Sequence, residues 1–143
     1  DQVNQLHYAL VKGDIVADEA VLVRVHMQDS LADWMQVEMP DRGWPLHRAM
    51  AKIAGEKNGV LLVLTTRTDN QAIIQRVLQC KQSGIHASAV GSESAWDLRT
   101  FGIGAQILRA IGVKKMRVLS APKVMHGLSG FDLEIVDYVA SEP

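Results

Sequence analysis

A single cysteine, Cys80, in 143 residues leaves no partner for an internal disulfide. It also excludes any zinc site built from two or more thiolates of this chain. A reducing, cytoplasmic compartment is the resulting expectation. Long apolar runs are missing as well. The longest, Val60-Leu61-Leu62-Val63-Leu64, has the length of a strand and falls short of the ~18 residues a membrane span requires. No membrane association is therefore expected. Asp1-Gln2-Val3-Asn4 has no basic segment followed by an apolar one and does not read as a signal peptide. It also lacks an initiator methionine, which leads to the expectation of an excised or processed piece of a longer protein. Charge of one sign is absent too. Fifteen Lys+Arg against 16 Asp+Glu give a net charge of −1, which removes the main argument for a nucleic-acid-binding face. What is present, 48% hydrophobic and 22% charged residues, is the profile of one globular domain over residues 1–143.

The periodicities alternate between strand and helix. Ala20 to His26 reads as a strand with one buried face, Val21, Val23 and Val25 opposing Leu22 and Arg24. Asp29 to Gly43, closing on Pro40-Asp41-Arg42-Gly43-Trp44-Pro45, reads as a loop. Leu46, Ala49, Met50 and Ile53 recur at helical spacing, with a stop between Gly55 and Gly59. Val60 to Leu64 reads as a strand buried on both faces. Asp69 is placed to cap a second helix with the stripe Ile73, Ile74, Val77 and Leu78, ended by Gly84. Ile85 to Val90 fits a short strand and Gly91 to Ser94 a loop. A third helix carries Ile103, Ile107, Leu108 and Ile111 and stops at Gly112. Met116 to Leu119 and Leu133 to Val139 read as strands, separated first by a turn at Ser120-Ala121-Pro122-Lys123. Strands interleaved with helices imply an α/β fold with a mixed or parallel sheet and flanking helices.

Three constellations invite a chemical reading. His26, Asp29, Asp33, Asp41 and His47 form a mixed His/Asp set of the kind that binds metals, but their spacing matches no tight ligand pattern, and a polar surface loop is the simpler reading. Gly102-x-Gly104 at a helix start could present free N–H groups to a phosphate. It lacks a third glycine, since Ile107 stands there, and helix packing with Asp97 or Thr100 as cap accounts for it equally. Cys80 beside Lys81 could have a lowered thiol pKa, but a lone cysteine after an apolar stripe reads first as a small core residue. His86 and His126 have no visible partners. Trp34, Trp44 and Trp96 lie in or beside loops, as interface aromatics or as buried anchors.

Several blocks together resemble the GTP cyclohydrolase II domain of riboflavin biosynthesis. His7-Tyr8-Ala9-Leu10-Val11-Lys12-Gly13-Asp14-Ile15 is similar to that family's "H-x-A-L-V-x-G-D-I" segment, and Val23-Arg24-Val25-His26 to its "R-V-H" strand. Asp97-Leu98-Arg99-Thr100-Phe101-Gly102-Ile103-Gly104-Ala105-Gln106-Ile107-Leu108 resembles "D-x-R-x-Y-G-x-G-A-Q-I-L". The closing segments, Gly112-Val113 to Ser120 and Gly127-Leu128 to Val136, follow in order. The resemblance implies a GTP cyclohydrolase II-like fold, hydrolysis of GTP to a diaminopyrimidine, formate and pyrophosphate, and a zinc ion held by three cysteines that activates water. It implies catalytic roles for Asp97 and Arg99, and phosphate or nucleotide contacts from Gly102, Gly104 and Lys123.

Against that pattern, Asp29, Pro40 and Arg42 stand where the three cysteines would be. Thr65 to Ile73 lacks the glycines of the family's nucleotide loop, and Ser120-Ala121-Pro122 shortens its "T-N-N-P" turn. No zinc or other cofactor is expected. The reading is a degenerate cyclohydrolase II domain with a structural or regulatory role, fused to a 3,4-dihydroxy-2-butanone 4-phosphate synthase domain and forming homodimers. Two alternatives stand beside it: an active cyclohydrolase, with a harder ion on His26, Asp29 and Asp41, and a repurposed module that binds GTP or another phosphorylated ligand through Arg99, Lys123 and the helix N-terminus at Gly102–Gly104.

Overall fold

The computed structural model describes residues 5–36, 43–66, 69–82, 98–122 and 127–141, with 82, 98 and 99 as backbone only. In order along the chain these form β1 (Tyr8–Lys12), β2 (Ala20–Met27), α1 (Ser30–Trp34), α2 (Leu46–Ala54), β3 (Gly59–Leu64), α3 (Asn70–Gln82), α4 (Leu98–Ile111), β4 (Lys115–Leu119), a 3-10 turn (Leu128–Phe131) and β5 (Glu134–Val139). The strands make one mixed sheet in the order β1-β3-β2-β4-β5. β1 runs antiparallel to β3, and every other pairing is parallel. The expected α/β class with a mixed sheet and flanking helices is what the chain adopts.

Strand β2 lies at the centre, and its alternation divides the core. Val21 and Val23 face α4 with Val60, Leu62, Leu64, Met116 and Val118, closing over Ala105 and Leu108. Leu22 faces α2 with Leu61 and Leu119, closing over Ala49, Ile53 and Trp44. β2 is therefore buried on both faces, not on one as its pattern suggested: Leu22 is as fully enclosed as Val21 and Val23. The chain leaves β2 toward β3 on one side and later returns past it to β4 on the other. The carboxyl end of β2 thus sits where the strand order reverses, the place where open α/β sheets usually build their sites.

Several expectations are refined. The segment after Asp29 is not wholly a loop, because Asp29 caps α1, and its side chain accepts from the Leu31 and Ala32 amides. Asp69 caps α3 as expected, accepting from Ala72 N at 2.7 Å. The stripe on α3 does not face the core. Ile73, Ile74, Val77 and Leu78 are all exposed, and only Arg76 and Cys80 are even partly covered between residues 69 and 81. The expected stop at Gly84, the strand at Ile85–Val90 and the loop at 91–94 lie outside the described residues.

Two glycines differ in what the packing demands of them: Gly13 is required and Gly104 is not. Gly13 ends β1 with φ +69°, and a Cβ there would lie 2.5 Å from the Lys57 carbonyl oxygen. Gly104 lets α4 lie on the sheet, where a Cβ would meet Leu64, Leu62 and Val25 at 3.6–3.8 Å, which is ordinary contact. Gly13→Ala is expected to destabilise the fold by about 2 kcal/mol or more through positive-φ strain and collision. Gly104→Ala is expected to be neutral or stabilising by up to about 1 kcal/mol, since alanine is the better helix residue. Urea denaturation of the two variants checks both.

Candidate functional site

Arg24 and His26 share the side of β2 that Leu22 turns toward α2. Strand periodicity therefore carries a guanidinium and an imidazole into the interior at the carboxyl end of the central strand. Arg24 donates from Nη1 to the Leu119 carbonyl at 2.8 Å and from Nη2 to the Trp44 carbonyl at 3.1 Å. It thereby ties the end of β4 to the start of α2. Burial disfavours its charged form and lowers its pKa to about 10, with Asp33 nearby acting in the opposite direction. Arg24 remains protonated at neutral pH. Trp44 closes the same layer, donating its indole N–H to the Val139 carbonyl at 2.8 Å.

Beyond Arg24 the polar groups form a chain. His26 Nε2 donates to Asp33 Oδ1 at 2.8 Å, and both side chains are more than nine-tenths buried. The other oxygen of Asp33 accepts the Asp29 backbone N–H at 2.9 Å. Asp29 Oδ1 accepts the Leu31 and Ala32 amides at 3.0 and 3.1 Å. Its Oδ2 accepts from Arg76 Nε and lies 3.2 Å from Arg76 Nη2. Asp29 and Asp33 thus cap α1 reciprocally, one carboxylate bonding forward and the other back, as in a capping box. With Nε2–H held by Asp33, His26 Nδ1 is left as a buried acceptor without a partner.

The His/Asp set expected to lie on a polar surface loop is therefore partly buried and internally paired. His26, Asp29 and Asp33 are brought together, His47 points away on the exposed side of α2, and Asp41 lies outside the described residues. Zinc does not fit here. Of the three positions that correspond to thiolates, Pro40 has no side-chain donor, Arg42 is a cation, and Asp29 has both oxygens committed to protein donors. Among the described residues no group of three or more His, Cys, Asp or Glu could hold a metal.

The remaining candidates are spread out. Asp97 and Lys123 lie outside the described residues, as do Pro40 and Arg42, and Arg99 is described only as backbone in the first turn of α4. Gly102 and Gly104 are inside α4, past its start at Leu98, so they do not form its free N-terminal end. Gly104 serves close packing. Cys80 is a free, half-buried thiol on α3. Trp44 is a buried anchor, Trp34 is exposed, and Trp96 lies outside the described residues. Sequence reasoning missed Arg24 and Arg76 altogether. The only local signal was Asp29 four residues before Asp33, flanking a short helical segment. Replacing Arg24 with methionine leaves two carbonyls without their charged donor, and is expected to cost about 2–4 kcal/mol in chemical denaturation.

Comparison with known proteins places this geometry in a lineage. The family model described as GTP cyclohydrolase II matches residues 1–140. A 3,4-dihydroxy-2-butanone 4-phosphate synthase of Pseudomonas aeruginosa is 41% identical over 137 residues, 96% of this chain and 36% of the relative. A protein of the same name from Photobacterium phosphoreum is 41% identical over 143 residues, 99% of this chain and 38% of the relative. A riboflavin biosynthesis protein RibBA of Bacillus cytotoxicus is 37% identical, covering 93% and 35%. The chain spans little more than a third of the length of these relatives. Among solved structures it is similar to RibBX, a two domain 3,4-dihydroxy-2-butanone 4-phosphate synthase from A. baumannii, with TM-score 0.58 and 29% identity over 94% of this chain and 32% of that one. These names correct the expectation of a degenerate cyclohydrolase domain in a synthase–cyclohydrolase fusion, and with it the cyclohydrolase and nucleotide-module readings. Relatives that match almost the whole chain are named for the synthase, and the solved neighbour is a two-domain synthase. By its match over nearly its full length, the chain belongs to the GTP cyclohydrolase II family.

Proposed function

We propose that this chain works as part of a 3,4-dihydroxy-2-butanone 4-phosphate synthase in riboflavin biosynthesis, supplying one domain of a longer protein. The observation that carries the reading is the 41% identity to two synthases across 96% and 99% of the chain. The likeness to a two-domain synthase supports the same assignment, and so does the chain's share of about a third of that protein. The polar site is consistent with it. The family resemblance implies a zinc-activated water, yet Asp29 is engaged with protein donors, and Pro40 and Arg42 are residue types that offer no ligand. The chain therefore keeps the family's fold while its relatives carry the name of a different reaction.

The reading is tested on the full-length protein that contains this chain. It is expected to form 3,4-dihydroxy-2-butanone 4-phosphate, and to release no formate from GTP above a no-enzyme control with Zn²⁺, Mg²⁺ or Mn²⁺ present. GTP-dependent formate release, or absence of synthase product, would overturn it.

A further inference from the structure

We propose that the chain Arg76–Asp29–Asp33–His26 is a metal-free clamp that fastens this end of the fold at the place where the family resemblance implies a cation. It joins three elements that little else holds together. α1 is only five residues long and has no buried residue, so its own propensity and burial cannot hold it. α3 turns its apolar residues to solvent: Ile74 is 56% exposed and Val77 46%. The side that α3 presents to the body carries Arg76 and, one turn on, Cys80. What fixes both helices at the end of β2 is polar. Arg76 grips Asp29, Asp29 caps α1, Asp33 closes the cap from the other end, and buried His26 anchors Asp33 to the sheet.

A cation at this place would need oxygen or nitrogen lone pairs. Both oxygens of Asp29 and both of Asp33 already accept protein donors, and His26 Nδ1, the buried ring nitrogen left without a partner, is one ligand where a metal needs at least three. The positive charge of Arg76 takes the place a metal charge would otherwise have beside Asp29. Such bonds to a charged group are stronger than neutral ones, and a buried pair is screened less by salt than an exposed one. The Arg76 and Asp29 side chains are 26% and 9% exposed, so the pair is largely sheltered. The clamp stands independently of the synthase assignment, because it concerns only how this end of the fold is held.

The test is a double-mutant cycle in the full-length protein, read by amide exchange. Asp29→Asn keeps the helix cap but removes the charge, and Arg76→Gln removes the cation. Each is expected to speed exchange in α3 about tenfold, the factor for losing one charge-assisted hydrogen bond, while β3 stays protected. The double variant should exchange no faster than either single one, since both remove the same contact. Arg76→Lys should recover part of the protection. Unchanged α3 exchange in the single variants, or independent effects that multiply in the double variant, would overturn the clamp. A second arm uses the unaltered protein, in which added zinc should leave exchange across 29–34 and 70–82 unchanged. Slowing of exchange there by zinc would also overturn it.

Discussion

Strand β2 brings a guanidinium and an imidazole into the interior of the sheet, and the elements at the carboxyl end of β2 supply partners for three of their five nitrogens. Arg24 is bonded by carbonyls from two other elements, and His26 by Asp33. Removing a buried charge's partners costs several kcal/mol, so the elements that supply those partners are held to β2 by the penalty of leaving it. The position of α2, the end of β4 and the presence of α1 all follow from that requirement. The apolar layers on either side of the sheet supply the bulk of the burial, but they do not choose where the polar segments go. The buried pairs do.

The same constraint organises the place where the family resemblance implied a metal. A thiolate site needs three soft ligands on one loop, and here a proline and two charged residues stand at those places. The loop has not simply been left without a centre. Asp29 is a good helix cap, and α1 forms at its side. Asp33 then lies within reach of both the Asp29 amide and His26. Arg76, from a helix that follows the next strand, completes the charge balance. A hard carboxylate paired with a guanidinium thus stands where the family pattern has a soft ligand.

How much of this could be read from the residues depends on the length scale. β3 was legible as an unbroken apolar run, α2 and α4 from their 3.6-residue stripes, and the α3 start from Asp69. β1 was not, because Tyr8 to Lys12 is an edge strand with every residue exposed, and no buried alternation marks it. α1 was hidden because it is only five residues long and the turn residues of Pro40 to Pro45 set the reading of the whole segment. The double burial of β2 was missed because Arg24 and His26 look like a solvent-facing side, and only their partners' positions reverse that. Those partners lie at 7 residues for His26–Asp33 and 20 and 95 residues for Arg24, outside any strand periodicity. Arg76 is 47 residues from Asp29. The stripe on α3 was legible and misleading, since Arg76 is held inward and the apolar residues are rotated outward. The block from Asp97 to Leu108 carried the family resemblance, and its Gly104 lies on the sheet face of α4, where a Cβ would make only ordinary contacts.

The polar network fastens the end of β2 through the Arg76 guanidinium, with no metal ion. Calorimetric melting of the full-length protein in EDTA and then in excess zinc tests it most directly. The same transition temperature is expected in both. A lower transition in EDTA that zinc restores would contradict it and return this site to the metal.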